Sequence, residues 1–496
     1  MSEIWQRRFS LVRGAVSSAV FIAALAGCSG STGPGERTAS GGIDAAAAPG
    51  NVAPGNTVAA VAAPDPSGND WPNFGRDYQH TRNSPQTAIT LANVATLAPK
   101  WGTGSAHPLP RGFFDATYAD PVVVGNVVYQ AALNGSIDAF DLSSGALLWT
   151  FTGQSGTSMK STPTYYRGTL YAGDMSSSHQ NATFYAVNAA TGKAHWQYVI
   201  SDPLAKFDGS PVVWNSAVYI GLSAVNEVPG KCVHARQLMG FSVFAPALAA
   251  TLTLTPPPQN GADIWSTPML DPQGNMYLAT GNECTPNFNQ SFPYANALLR
   301  AKANPQLGVQ WSFQIPEGPG RDLDFGSSPV YAGGLVVDTS KDGYTYALNP
   351  ATGALVWKTF TGMALGSSAT DGSKIYVPSA QTVFPACLAG ATCGGLYALN
   401  LADGSIAWSI PATTDKNGVG MRSSPVYSNG MVFGAWNGQL WAVSAANGTP
   451  LWSYAFPANA QNEIPAVYGG IALVNGGLIL GATDQLDYWC FTPGGV

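Results

Sequence analysis

Five short stretches of this chain carry residues whose types could do chemistry together. Glu227 stands in Gly221-Leu222-Ser223-Ala224-Val225-Asn226-Glu227, and Asn282 closes Tyr277-Leu278-Ala279-Thr280-Gly281-Asn282. A carboxylate and an amide oxygen are what a hard cation takes as ligands. Read without a ligand, the first is a solvated loop carboxylate and the second a turn residue. Trp265, in Asp263-Ile264-Trp265-Ser266-Thr267-Pro268, offers a flat face on which a planar ligand can stack; otherwise it is a packing residue, and the chain has 14 tryptophans. Asp322 and Asp324 flank Leu323 and supply a base or a turn cap. Lys341, in Ser340-Lys341-Asp342-Gly343, is a cation on a hairpin, able to stabilise developing negative charge or simply to face water. Other chemistries find no support. No nucleophile elbow and no metal-binding His pair occurs, and His80, His107, His179, His195 and His234 are scattered.

A repeated unit must position these residues. Its clearest copy runs Ser327-Ser328-Pro329-Val330-Tyr331, Gly333-Gly334-Leu335-Val336-Val337, Asp342-Gly343-Tyr344-Thr345-Tyr346-Ala347-Leu348-Asn349, Thr352-Gly353, and ends at Trp357. Four β-branched or alternating runs separated by Gly, Asp and Asn predict four strands. Gly145, Gly192, Gly404 and Gly448 each stand four residues before a tryptophan, as Gly353 does, and Gly308 stands three before Trp311. Trp101, Trp149, Trp196, Trp311, Trp357, Trp408 and Trp452 lie in turn 48, 47, 115, 46, 51 and 44 residues apart. The long step hides a degenerate copy around Met239-Gly240-Phe241-Ser242-Val243, which has no tryptophan. A four-stranded blade cannot bury both its faces alone, so the copies must stack in a ring. The expectation is an all-β chain: an eight-bladed β-propeller of four-stranded antiparallel blades. Trp101 has no strands of its own before it, so its strand is expected to complete the last blade, built from residues 464–491, and close the ring from the N-terminal side. Read as a loop, the degenerate copy would leave seven blades.

Composition agrees. Charged residues are 10 %, Gly numbers 57 and Pro 36, a balance suited to short strands and tight turns. A net charge of −6 without long basic runs argues against nucleic acid as a partner. Residues 1–28 read as a signal peptide: Arg7, Arg8 and Arg13, an apolar stretch from Ala15 to Leu25, then Leu25-Ala26-Gly27-Cys28. The last four resemble a bacterial lipobox, in which Cys28 is lipidated; Ser29 after it points to the outer membrane. Residues 29–69, rich in Gly, Ala, Pro, Ser and Thr, read as a flexible linker, leaving 70–496 for the propeller. The expected location is therefore outside the cytoplasm, on a lipid anchor in the cell envelope, facing the periplasm. Cys387 and Cys393 are expected to close a small disulfide, while Cys232, Cys284 and Cys490 leave the pairing open.

The repeats resemble the quinoprotein propeller family, through units like Tyr346-Ala347-Leu348-Asn349…Thr352-Gly353…Trp357 and the opening Trp71-Pro72-Asn73-Phe74-Gly75-Arg76-Asp77…His80-Thr81. The resemblance covers residues 70–491 and is nearest to the alcohol dehydrogenases of that family, in particular the polyvinyl-alcohol dehydrogenase type. It implies pyrroloquinoline quinone (PQQ) and calcium as cofactors. Trp265 would be the floor under the quinone, and Glu227, Asn282 and Asp322 would hold calcium. Asp322, rather than Asp324, would be the base, and Lys341 would reach a quinone oxygen. A small or polymeric alcohol would be the substrate. No Cys-x-x-Cys-His occurs, so electrons would pass to a separate acceptor such as a cytochrome c. Two features depart from these enzymes: Asp322 has Arg321 and Leu323 beside it where they have a tryptophan, and the adjacent cysteine pair is missing. The family also contains non-catalytic BamB-like scaffold lipoproteins, so such a scaffold is the alternative reading. Irregularity in the third and fourth copies places the expected pocket there, facing the axis.

Overall fold

The computed structural model describes residues 70–102, 118–154, 157–176, 181–202, 205–224, 236–255, 261–282, 293–302, 307–315, 323–381, 392–414, 419–457, 467–474, 476–482 and 487–496. Cys28, Glu227, Asp322, Cys232, Cys284 and Cys387 fall outside them. Besides strands, the described residues hold one short 3-10 turn, Val94–Thr96. Eight four-stranded antiparallel sheets follow one another along the chain. Blades 1 to 7 span residues 122–152, 164–200, 212–255, 269–314, 330–360, 369–413 and 426–455. Blade 8 combines Ile471–Val474, Gly477–Ala482 and Asp487–Pro493 with Leu97–Gly102 as its outermost strand. Trp101 pairs with Cys490 there, so the ring closes as the sequence predicts. The copy without an outer-strand tryptophan is blade 3, whose third strand is Arg236–Ser242.

Burial explains the strand patterns. In blade 5 the second strand, Leu335–Thr339, is buried almost throughout, because its two faces meet blades on either side. The outer strand, Leu355–Phe360, alternates, with Trp357 inward. Trp101, Trp149, Trp311, Trp357 and Trp408 each lie against the turn glycine of the next blade. A Cβ on Gly404 would come within 2.6 Å of the Trp357 ring, and Trp357 Nε1 donates to Leu401 O at 2.8 Å. Gly145 against Trp101, Gly192 against Trp149 and Gly448 against Trp408 repeat this. The glycine thus meets two demands, a φ near +72° at Gly404 and a close approach to an indole. Gly404→Ala should cost about 1–3 kcal/mol, read as a lower urea midpoint. An unchanged midpoint would show that the contact is slack.

Two further devices line the axis. Six backbone N–H groups each donate to a Ser or Thr hydroxyl of the next blade: Asp120 to Thr162, Thr162 to Ser210, Ser210 to Thr267, Thr267 to Ser328, Ser328 to Ser367, and Ser367 to Ser424. These bonds run 2.8–3.0 Å and belt blades 1 to 7 at the start of their inner strands. Next to blade 8 the belt changes: Gly470 lies against the Asp120 carboxylate, and Asp120 Oδ2 is 2.5 Å from Arg82 Nη2.

Arg82 belongs to a strap, residues 71–84, that winds along the inner strands. Its carbonyls accept the N–H of the second residue of five inner strands: Tyr165 N donates to Pro72 O, Leu270 N to Tyr78 O, Tyr331 N to Gln79 O, Thr370 N to Thr81 O and Tyr427 N to Arg82 O. Trp71 pairs with Val123 in both directions. The inner edges are thereby satisfied by protein. Gly75, Arg76, His80 and Arg82 take positive φ to make the winding possible.

His80 is buried in this strap, its Nδ1 2.9 Å from Pro329 O. Burial, with Arg82 nearby, pushes its pKa down to about 3 against the pull of that carbonyl. The unfolded chain then binds the extra proton between the ordinary value and 3, so stability falls as pH falls through that window. Asp338, raised to about 7 by burial, acts in the opposite sense, losing stability as pH rises toward 7. The His80 component is therefore read as a difference. The stability of wild type minus that of His80→Gln should shrink by up to about 1.4 kcal/mol per pH unit below 6.5. A pH-independent difference would contradict it.

Cys393 is disulfide-bonded. Cys490 is a buried free thiol, pushed up to about 12 by burial.

Candidate active site

The strand Met276–Ala279 of blade 4 runs out into Thr280-Gly281-Asn282, which lies back against the stretch entering that blade. Gly281 N donates to Asp263 O at 2.7 Å, and Ala262 N donates to Asn282 O at 2.9 Å. Gly281 is needed for proximity: a Cβ there would stand 3.1 Å from Asp263 Cβ and 3.3 Å from Trp265 Nε1. Asn282 is thus buried beside Asp263 and Trp265 instead of forming a surface turn. Asp263 Oδ2 accepts Ala224 N at 2.9 Å, which ties in the segment that leads toward Glu227.

Trp265 is held from its edge. Its Nε1 donates to Asp324 Oδ2 at 3.0 Å. Asp324 Oδ1 is 2.5 Å from Lys341 Nζ, and that ammonium stands 4.9 Å from the Trp265 ring centroid. Asp324 is fully buried, and the Lys341 side chain is 11 % exposed. The backbone builds this contact, since Lys341 N donates to Asp324 O at 2.9 Å and Ser340 Oγ donates to Leu323 O at 2.6 Å. The link entering blade 5 and the loop after its second strand are thereby stitched together. Lys341 is therefore an ion-paired residue of the interior, where its hairpin position alone suggests exposure.

Trp265, Asp324 and Lys341 come together, and Asn282 follows Gly281, which abuts Trp265. Glu227 and Asp322, the other candidates, lie outside the described residues. Among the described residues no three His, Cys, Asp or Glu side chains gather as a metal site. The cluster sits where blades 4 and 5 begin, one blade further round than the expected third and fourth.

Several residues at the same level were missed by sequence reasoning. Lys206 Nζ is 2.6 Å from Asp208 Oδ2, and Lys160 Nζ is 3.8 Å from Asp208 Oδ1. Lys206 lies in a small ninth sheet formed by Thr157–Ser158, Met175–Ser176, Ala205–Lys206 and Ser223–Ala224. Tyr118 stacks on Tyr468, with Lys160 and Arg422 over their rings. A signal for them exists: Tyr118, Lys160, Asp208, Trp265 and Arg422 each stand three residues before the proline that opens an inner strand.

Residues 71–198 match the family model described as the β-propeller domain of glucose/ethanol/alcohol dehydrogenases, and residues 257–469 match the one described as outer membrane protein assembly factor BamB. The chain is a PQQ-like β-propeller protein. It is 24 % identical over 489 residues to polyvinylalcohol dehydrogenase of a Pseudomonas species, covering 82 % of this chain and 73 % of that one. Identity to polyvinylalcohol dehydrogenase of Sphingopyxis sp. strain 113P3 is 22 % over 509 residues, covering 84 % and 74 %. The crystal structure of quinohemoprotein alcohol dehydrogenase from Comamonas testosteroni matches with a TM-score of 0.65 at 16 % identity, over 86 % of this PQQ-like propeller and 81 % of that chain. At that identity the structural likeness speaks for the fold.

Proposed function

We propose that this PQQ-like propeller is a quinone-dependent dehydrogenase that oxidises an alcohol. The observation that carries the reading is the Trp265–Asp324–Lys341 cluster at the entry to blades 4 and 5. Its chemistry fits a planar quinone: an indole face for stacking, an ammonium for a quinone oxygen and a buried carboxylate for a hydroxyl proton. The names of the alcohol dehydrogenases it is similar to support the same activity. Bound PQQ would supply the hydride acceptor.

The chain's own residues then have separate tasks. Trp265, fixed through Nε1, would be the floor under the quinone. Lys341 Nζ would face a quinone oxygen, where an ammonium favours negative charge. Asp324 takes the hydroxyl proton; each carboxylate oxygen keeps a lone pair beyond its contact with Trp265 or Lys341. We assign the base to Asp324 in preference to Asp322, because Asp324 holds both partners. Asn282, with Glu227, is the calcium-binding pair in this proposal, by its amide and carboxylate oxygens. The protein acts outside the cytoplasm on a lipid anchor at Cys28, and its electrons go to a separate acceptor. A non-catalytic scaffold is the second reading, favoured by the BamB description of the model matching residues 257–469.

The test is direct. The full chain, given PQQ and calcium, should show quenched tryptophan fluorescence and alcohol-dependent dye reduction. No quenching, with no reduction by any primary, secondary or polymeric alcohol, would leave the scaffold standing.

A further inference from the structure

Two consecutive residues of one loop grip the main chain on both sides of Asp324. Ser340 Oγ donates to Leu323 O at 2.6 Å, and Lys341 N donates to Asp324 O at 2.9 Å. These are the carbonyls just before and just after the Asp324 Cα. Holding both peptide planes holds φ and ψ there, and with them the direction in which the carboxylate leaves the chain. One grip is a backbone amide, which every residue but proline has; the other is a side chain. That hydroxyl also accepts Asp342 N at 3.1 Å, so it accepts from its own loop and donates across to the Asp324 segment.

The loop does not need the side chain for its own shape. Ser340-Lys341-Asp342-Gly343 joins the second and third strands of blade 5, and Ala132-Leu133-Asn134-Gly135 joins those of blade 1. Both close in the same way. Ser340 N donates to Tyr344 O and Gly343 N to Ser340 O, each at 3.1 Å. Ala132 N donates to Ser136 O and Gly135 N to Ala132 O, each at 3.0 Å. Ala132 and Ser340 are both fully buried, so alanine builds this turn as serine does. The blades differ in what the loop carries. Blade 5 has a hydroxyl and an ammonium where blade 1 has two apolar side chains, and both reach the Leu323-Asp324 pair.

We propose that Ser340 is a positioning residue for the alcohol oxidation, its hydroxyl holding the Asp324 carboxylate in place for proton transfer. This rests on Asp324 being the base in the quinone reading above. Ser340 touches neither quinone nor alcohol in this role; it acts through the Leu323-Asp324 peptide. Misplacing a reacting group by about 1 Å costs up to about a hundredfold in rate, which sets the upper end of the effect.

Hydrogen exchange on the cofactor-free chain, with kinetics on the chain given PQQ and calcium, tests this. In Ser340→Ala the Lys341 amide should exchange about fivefold faster, because the carbonyl it donates to is no longer held. The kcat should fall about tenfold to a hundredfold, with PQQ affinity and the KM for alcohol within about twofold. Ser340→Thr keeps the hydroxyl and should restore both readouts. Adding Ser340→Ala to Asp324→Asn should change the remaining turnover by less than about twofold, since the group being positioned is already gone. A folded Ser340→Ala protein with wild-type kcat, or an equal loss in the Asp324→Asn background, would overturn the role of Ser340 and leave the quinone reading intact. Absence of both quinone binding and alcohol oxidation in the unaltered chain would overturn that reading, and the role of Ser340 with it.

Discussion

Asp324→Asn should lower alcohol-dependent dye reduction by about 10²–10⁴-fold while PQQ still quenches the tryptophan fluorescence. The amide keeps an oxygen for Trp265 Nε1, so the stacking floor is retained. It gives up the base and the charge facing Lys341. The cost to the resting protein is separable. Asp324 is fully buried, and removing one member of a buried pair costs about 3–5 kcal/mol. Adding Lys341→Met to Asp324→Asn should recover part of that stability and none of the turnover. Measuring kcat, quinone affinity and the urea midpoint on the same preparations distinguishes a chemical role from a structural one. Turnover within tenfold of wild type in folded Asp324→Asn would remove Asp324 as the base and return attention to Asp322.

The second large effect concerns stability alone. Arg82 is fully buried, 2.5 Å from an Asp120 that is 2 % exposed, and its guanidinium lies 4.5 Å from the Phe74 centroid. Arg82→Met leaves Asp120 charged and buried beside Gly470, at the join where the hydroxyl belt has no serine to offer. The loss should be about 3–5 kcal/mol, seen as a lower urea midpoint with an unchanged slope. Pairing Arg82→Met with Asp120→Asn should return part of it, since the orphaned charge is then gone. A shift under about 1 kcal/mol for the single variant would show that water reaches the pair and that the strap is held by its backbone bonds alone.

Sequence periodicity was a good guide to the blades because it reports local events. A glycine four residues before a tryptophan marks a turn and the strand after it, and both recur in each regular copy. Closure through Trp101 was legible for a related reason: one strand without partners, and one last copy short of a strand, must meet. Of the site, Trp265, Asn282 and Lys341 could be singled out by their residue types and by the family resemblance. Their burial and their partners could be read only from the neighbours that the fold gives them.

Those neighbours come from far along the chain. Lys341 is buried by an aspartate 17 residues upstream and faces a tryptophan 76 residues upstream. Tyr118 meets Tyr468 across nearly the whole propeller. Asp324 is held by contacts with Trp265 and Lys341 that no spacing encodes. His80, one of five scattered histidines in the sequence, is part of a strap that contacts six inner strands. The sequence by itself determined eight four-stranded units, their inter-blade wedges and the strand that closes them, because these follow from turns and local burial. Only the tertiary structure decided which side chains share the axis. Ring closure brings one position of every blade to a common centre, and the chemistry there depends on which residue each blade puts at it.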